Sequence, residues 1–144
     1  MKKSSVRYAH HLEGMISIAQ GNHAQATESF QKAISLLPAA FDADDWDSLF
    51  HYSLASVYLN AGKTEQSLQQ YEKIVHLTVG RMHCGNLYAK TLFELGDLYR
   101  SMGNIDKAKQ NYERFLRIIK DADQTFPEVN DVKKWLKSVG QQQP

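Results

Sequence analysis

Apolar residues recur along most of the chain at the three- and four-residue spacing of amphipathic helices, and no stretch shows the alternation typical of strands. The clearest helical stripe follows Gly103 and consists of Ile105, Ala108, Tyr112, Phe115, Leu116 and Ile119. Gly21, Gly62 and Gly103 each follow a periodic segment, where a left-handed residue ends a helix at little steric cost. The pattern predicts an all-α fold of three antiparallel helix pairs and one shorter final helix.

The predicted pairs cover about residues 7–38, 48–79 and 89–121, and the final helix covers about residues 128–139 before a tail at 140–144. Val132, Leu136 and Val139 give the final helix one apolar side, and lysines surround it. Terminal repeats need an element that is apolar inside and polar outside, so we predict a capping helix. The pattern shows no domain boundary, which predicts a single domain over residues 1–144.

Three sequence columns recur at an interval of 41 residues: Gly14, Ala55 and Gly96; Gly21, Gly62 and Gly103; Phe30, Tyr71 and Tyr112. A fixed period of this size indicates a repeat architecture. A small residue where two antiparallel helices cross lets them approach closely, and we expect Ala26, Ser67 and Ala108 opposite the first column. The aromatic column is expected to fill the space between one pair and the next, so that stacking buries a continuous core.

The repeating columns resemble those of the tetratricopeptide repeat (TPR), whose pattern is W-x2-L-G-x2-Y, then A-x3-F, then P. The third pair matches best, with Leu92-x2-Leu95-Gly96-x2-Tyr99 and Ala108-x3-Tyr112. The second pair starts at His51, and the first, more degenerate, starts at His10 and ends at Pro38. The resemblance implies a right-handed α-solenoid that holds partners and is not an enzyme. The period of 41 exceeds the usual 34 by seven residues, which indicates a long-period type.

The end of the chain has a narrower resemblance. The run from Tyr112 to Leu116, then residues 120–123, then Pro127-Glu128-Val129, resembles the C-terminal repeat region of large bacterial signalling proteins. Those proteins fuse such repeats to kinase or transcription-regulator domains. The resemblance implies, as an alternative, that this chain is a regulatory module of a larger protein.

Charge and composition narrow the range of partners. The 144 residues include 17 basic and 16 acidic side chains, a formal net charge of +1, which argues against a surface dedicated to nucleic acid. No window approaches the length of apolar sequence that crosses a membrane. The single cysteine, Cys84, cannot form an internal disulfide, so we expect a reducing, cytoplasmic location.

Motifs for chemistry are missing from the sequence. Neither glycine-rich phosphate loops nor a Gly-x-Ser-x-Gly elbow occurs, so we predict no enzyme activity and no cofactor. The six histidines match no structural zinc spacing, and we predict no metal site. We interpret Cys84 as a half-buried thiol rather than a nucleophile. The aspartates at 42, 44, 45 and 47 are interpreted as helix caps in preference to a calcium loop, because the glycine and terminal glutamate of such a loop are missing.

In this family the first helix of each pair lines the concave surface, and the face opposite its buried side can be read from spacing. The predicted partner groove consists of Tyr8, His11, Met15, Tyr52, Ser56, Asn60, Lys90, Phe93, Asp97 and Arg100. His11, Tyr52 and Phe93 share one column and would place rings along the groove, where aromatic side chains supply much of the binding energy. The structural alternative is that these rings only pack between neighbouring helices and bind no partner.

One subtype of the family can be tested by its residues. Chaperone adaptors grip a C-terminal carboxylate with Lys and Asn in the first repeat, Asn in the second, and Lys and Arg in the third. The matching places here hold His11, Met15, Ser53, Lys90 and Glu94. Only Lys90 fits, so the resemblance does not extend to carboxylate capture.

The hypothesis of a partner-binding concave face has one structural rival. The partner of the concave face would be a protein or peptide segment with apolar anchors. The rival is structural: the open end of a repeat array is apolar, so the first repeat could dock on a second copy to form a homodimer.

Overall fold

The computed structural model of the protein describes residues 3–37, 47–76, 85–120 and 126–141. Within those ranges the chain forms seven helices and no strand. They are α1 (Lys3–Ala19), α2 (His23–Ser35), α3 (Asp47–Asn60), α4 (Thr64–His76), α5 (Gly85–Ser101), α6 (Ile105–Ile119) and α7 (Val129–Gly140). Helix α1 packs against α2, α3 against α4, α2 against α3, and α6 against α7. The predicted all-α fold of paired antiparallel helices is confirmed.

The glycine that ends the first helix of each pair has the left-handed conformation that the sequence predicts. The φ angles are +75° at Gly21, +70° at Gly62 and +75° at Gly103. After each glycine the next backbone N–H donates to a carbonyl five residues earlier, at 2.8 Å in all three pairs. This bond satisfies a carbonyl that the helix end would leave unpaired, and it turns the chain into the second helix.

Asparagine caps on two second helices were missed by the sequence analysis. The Asn22 side-chain oxygen accepts from the Gln25 backbone N–H at 3.4 Å, and Asn104 does the same for Lys107 at 3.2 Å. The two asparagines occupy one column of the 41-residue period, with Lys63 between them. An asparagine directly before a helix is a common N-cap, so the sequence could have predicted both caps.

Two glycines let an aromatic ring of the second helix lie directly on the first helix. A Cβ added to Gly14 would lie 2.7 Å from Cδ1 of Phe30, and one added to Gly96 would lie 2.5 Å from Cδ1 of Tyr112. Both distances are too short for any real contact between carbon atoms. The small column therefore makes room for the aromatic column within the same pair, in addition to the predicted packing between pairs.

Two compact units make up the chain, Met1–Thr91 and Leu92–Pro144, and the division falls within α5. The core of the first unit includes Ala26 and Phe30 from α2 and Leu54, Val57 and Tyr58 from α3. In the second unit the buried hydrophobic side chains include Leu92, Leu95, Leu98, Tyr99, Ala108, Tyr112, Phe115 and Val132. The prediction of a single domain stays a prediction.

Some details of the sequence interpretation differ from the structure or fall outside its described part. Ile105, expected on the buried stripe of the helix after Gly103, is 41% exposed because it flanks the turn at that glycine. Pro38, Cys84 and the aspartates at 42, 44 and 45 lie outside the described residues. Asp47 begins α3, and nothing is described of its side chain.

Candidate partner-binding site

On the first pair, two of the predicted groove residues are rings that lie partly buried against α2 and α3. The His11 ring is 5.3 Å from the Phe30 ring and 4.9 Å from the Phe50 ring, measured between centroids. Tyr8 meets Phe50 edge-on at 5.6 Å. Met15, one turn further along α1, is 48% exposed. The structure therefore anchors His11 and Tyr8 by aromatic packing and leaves the Met15 side chain available.

His11 also makes the polar contact that joins α1 to α3. Its Nε2 lies 2.9 Å from the Ser53 Oγ, and Ser53 is buried. Burial lowers the pKa of His11, because the charged imidazolium would lose hydration in this position. The ring is therefore held neutral near physiological pH, and sequence reasoning missed the bond because its partners are 42 residues apart.

On the second pair, Tyr52 and Ser56 lie together on α3. The Tyr52 ring is partly buried and meets the Tyr71 ring edge-on at 5.4 Å. The Ser56 hydroxyl donates to the Tyr52 carbonyl at 3.0 Å and lies 3.3 Å from the Tyr71 hydroxyl. Asn60, at the end of α3, is exposed. These contacts hold the Tyr52 ring in one place while part of it faces solvent.

On the third pair, the predicted residues belong to α5. Phe93 is partly buried, with ring centroids 6.2 Å from Tyr112 and 5.7 Å from Phe115. The Tyr112 hydroxyl donates to the Asp97 carboxylate. Burial, and then the Asp97 charge, raise the pKa of Tyr112, so that its hydroxyl stays protonated and can donate.

Arg100 and Lys90 complete the predicted set. Lys90 is exposed on α5. The Arg100 guanidinium lies 5.5 Å from the centroid of Trp135, which is on α7, and the Trp135 ring meets Tyr112 at 5.1 Å. Sequence reasoning treated α7 as a cap only and missed this contact between Trp135 and a predicted groove residue.

The same ring-on-ring contact therefore recurs in all three pairs. A ring of the first helix packs on the aromatic residue of the second: His11 on Phe30, Tyr52 on Tyr71, and Phe93 on Tyr112. The three first-helix rings are intermediate in burial, whereas the three second-helix rings are buried. Each first-helix ring both packs on its partner helix and leaves part of its surface to solvent.

The positions that match the carboxylate-binding residues of chaperone adaptors are filled differently in the first unit. His11 and Ser53 bond to each other, and Met15 offers a thioether. The described residues of this unit thus present no cationic pair at those positions.

The described residues hold no group of three histidine, cysteine, aspartate or glutamate side chains close enough to bind a metal ion. Within residues 3–37, 47–76, 85–120 and 126–141, no helix has both the length and the apolar character needed to cross a bilayer.

Solved structures with the same fold include several TPR proteins. The N-terminal domain of stress-induced protein-1 (STI-1) from C. elegans has a TM-score of 0.74 at 22% identity, with 97% of this chain and 98% of that chain covered. The first TPR of Spaghetti (RPAP3), bound to the HSP90 peptide SRMEEVD, has a TM-score of 0.67 at 18% identity, with 95% of each chain covered. MamA has a TM-score of 0.65 at 21% identity, with 92% of this chain and 70% of that chain covered. At these identities the likeness shows the fold.

Among curated proteins, none matches the chain significantly in sequence. The family model of the tetratricopeptide repeat matches three segments, residues 8–39, 50–77 and 89–121, which together make up more than half of the chain. These segments coincide with the pairs α1–α2, α3–α4 and α5–α6. Proteins of this family are typically non-enzymatic modules for protein interaction. The chain belongs to the tetratricopeptide repeat family.

Proposed function

We propose that this chain is a non-enzymatic interaction module that binds a protein or peptide segment on the exposed faces of its first helices. The observation that carries the proposal is the recurrent, partly exposed ring, His11 on α1, Tyr52 on α3 and Phe93 on α5. Each is held by an aromatic contact to its second helix. Aromatic side chains fixed in this way lose little conformational entropy when a partner covers them, so they suit a binding surface.

The chemistry of the first unit indicates what kind of segment would bind. The predicted groove residues on α1 and α3 are Tyr8, His11, Met15, Tyr52, Ser56 and Asn60. None of them carries a formal charge when the His11 imidazole is neutral, as its lowered pKa favours. A surface of aromatic rings, a thioether and small polar groups fits a segment with apolar anchors, which gains from burying them, better than an acidic tail.

The similarity to an HSP90 peptide complex supplies a sharp alternative to test. RPAP3 binds the peptide SRMEEVD in its first TPR. In this chain His11 and Ser53 bond to each other, so the acidic end of such a peptide would meet no lysine or asparagine there. We expect titration with SRMEEVD to give a dissociation constant on the order of 1 mM or weaker. Micromolar binding would contradict the proposed partner chemistry and favour the carboxylate-binding alternative.

The proposal itself is tested by selecting ligands from a library of random displayed peptides and titrating the best one. Tyr52→Ala removes a partly exposed ring from α3, and Phe93→Ala does the same on α5. We expect each change to weaken binding by about 1–2 kcal/mol or more, as at interface hot spots. Ile105→Ala is the matched control, because Ile105 is a 41% exposed apolar residue on a second helix. Equal affinities for wild type, Tyr52→Ala and Phe93→Ala would refute the groove assignment.

We further propose that the chain has an adaptor or regulatory role in the cytoplasm. The resemblance of the chain's end to repeat regions of bacterial signalling proteins supports the regulatory role, and the single cysteine, Cys84, supports the location. That origin would make the chain one module of a longer regulatory protein. Sequencing of the gene around this segment tests the point: an adjoining kinase or DNA-binding domain supports it, and neighbouring reading frames with no such domain oppose it.

A further inference from the structure

Helix α1 carries an exposed stripe that the groove does not use. The stripe consists of Ser5, Ala9, Leu12, Ile16 and Ala19, and all five residues are exposed. The intervals between them are four, three, four and three residues, so the stripe follows one side of the helix as the seam of a coiled coil does. Leu12 is 62% exposed and Ile16 is 49% exposed. Single exposed leucines need no explanation, but a regular stripe of this kind marks an interaction surface.

The same columns are covered by a neighbouring helix one period later. Val57 occupies the column of Ile16 and is 1% exposed, and Phe50 occupies the column of Ala9 and is fully buried. Val57 lies in one apolar cluster with Ala26 of α2. The face of α3 that corresponds to the stripe is therefore covered by another helix, whereas the stripe on α1 is exposed.

Residue sizes along the stripe indicate which occupant fits. The two large residues, Leu12 and Ile16, are flanked by two small ones, Ala9 and Ala19. These four positions are symmetric about residue 14, and Ser5 lies beyond them at one end. Two such stripes laid antiparallel would place small residues opposite small ones and large opposite large, which allows close packing along the whole contact.

We propose that a second copy of this chain covers the stripe, with the two α1 helices antiparallel about a two-fold axis that crosses the stripe midway between Leu12 and Ile16. Ala9 then faces the partner subunit's Ala19, and Leu12 faces the partner subunit's Ile16. The contact is isologous, as in most homodimers, because each copy uses the same patch. It is separate from the groove residues His11 and Tyr52 and does not depend on the proposed function.

Electrostatics favours the antiparallel arrangement over a parallel one. Antiparallel helices place opposite ends of their dipoles together, whereas a parallel pair would bring like ends together. The acidic residue beside the stripe, Glu13, already bonds His10, with 2.9 Å between His10 Nδ1 and Glu13 Oε2. The dimer therefore brings no unpaired carboxylate to the contact.

The expected dimer is weak, because one helix face on each side buries less than the roughly 1,200 Å² typical of stable complexes. We therefore expect a dissociation constant on the order of 100 µM. The double variant Leu12→Lys with Ile16→Lys places charges in the middle of the stripe. The matched control is Ile105→Lys with Ile118→Lys, since those two isoleucines are 41% and 38% exposed on α6.

Sedimentation equilibrium from about 10 µM to about 1 mM measures the association. Support for the proposal requires that the wild type and the control dimerise within about twofold of each other, and that the stripe variant dimerises at least about tenfold more weakly. Far-UV circular dichroism shows whether each variant keeps its helices, and Leu12→Ala with Ile16→Ala replaces the lysine variant if it does not. A wild type that remains monomeric overturns the proposal. The stripe would then be a binding surface for a helix of a different protein. A dimer that the stripe variants do not weaken overturns it as well.

Disulfide trapping tests the antiparallel geometry. In a Cys84→Ser background, the single variants Ala9→Cys and Ala19→Cys are oxidised separately and as a mixture. The proposed arrangement predicts efficient cross-links only in the mixture, because Ala9 and its copy in the partner would be about 15 Å apart along the helix axis. Efficient cross-linking of Ala9→Cys with itself would overturn the antiparallel arrangement in favour of a parallel one.

Discussion

Helices α1 and α3 are the first helices of the first and second pairs. They differ in whether another helix covers the side that carries Ile16 on α1 and Val57 on α3. Val57 on α3 is 1% exposed because α2 packs against it, whereas Ile16, one period earlier on α1, is 49% exposed. The two residues are nearly the same in size and hydrophobicity. The position within the repeat therefore does not determine whether an apolar residue is buried. Burial depends on whether a neighbouring helix packs against it, and an uncovered apolar residue remains available to a partner.

The largest expected effect comes from placing a charge at each of these two positions. Val57→Lys buries an unpaired ammonium in the core, so we expect it to lower the free energy of unfolding by about 3–5 kcal/mol. Ile16→Lys places the same charge in solvent, and we expect a change within about 0.5 kcal/mol. Urea unfolding followed by circular dichroism, at a concentration where the chain is monomeric, measures both. Similar losses at the two positions would show that a helix covers Ile16 within the monomer.

The small-residue column gives the next largest contrast. Gly14→Ala brings a methyl group against the Phe30 ring, at 2.7 Å from Cδ1, whereas α3 already carries Ala55 at this column. We expect a net loss of about 1–2 kcal/mol for Gly14→Ala, after the roughly 1 kcal/mol that alanine gains in a helix. Ala55→Gly should also lower the free energy of unfolding by about 1 kcal/mol, because glycine has a lower helix propensity than alanine.

Thermal and urea unfolding of the two variants check the prediction. A Gly14→Ala protein about 1 kcal/mol more stable than the wild type would contradict the close approach, because only an uncrowded helical glycine gains from this change.

The helix caps give a smaller contrast between the first and second pairs. Asn22→Ala removes the side chain that accepts from the Gln25 N–H, and we expect a loss of about 1 kcal/mol. Lys63 holds the same column before α4 and is exposed, so Lys63→Asn should gain up to about 1 kcal/mol by adding the missing cap. Asn60→Ala, at an exposed position of α3 outside this column, serves as the control. A destabilising Lys63→Asn would show that the second pair starts its helix differently from the first.

The smallest expected effect depends on pH. Burial lowers the pKa of His11, and burial together with nearby Lys73 lowers the pKa of His51 against the opposing bond to Gln70. The unfolded chain then binds more protons than the folded one below a pH of about 6.5, the ordinary value for histidine. We expect the free energy of unfolding to be greatest above that pH and to decline as the pH falls through the lowered values of the folded state.

Unfolding titrations from about pH 8 to about pH 5 test this direction, with His11→Gln and His51→Gln as variants that remove the titrating groups. Each variant should flatten the decline. A profile for the double variant that falls as steeply as that of the wild type would assign the pH dependence to other groups.

Much of the fold could be predicted from sequence because its cause is local and periodic. Gly21, Gly62 and Gly103 have the expected positive φ because only glycine adopts it freely. The second-helix stripes were predicted correctly at Phe30 and Tyr112, which are buried, because spacing alone determines which side of a helix they share.

The candidate site was less predictable because its contacts join distant parts of the chain. The bond from His11 to Ser53 and the contact of Arg100 with Trp135 have no local sequence signal. The exposure of Ile105 likewise depends on which side chains pack beside it. The spacing predicted which side of each first helix carries a ring, but the partial burial of these rings depends on their contacts with α2, α4 and α6.

The most direct test of the central claim, that the first helices present a partner surface while the second helices hold the fold, is an amide NMR titration. The best library-selected peptide is added to the wild-type chain, and shifted amides are mapped onto the helices. We expect the largest shifts on α1 and α3, around His11, Tyr52 and Ser56, with small shifts on α2 and α4. Shifts concentrated on α2 and α4 would contradict the account.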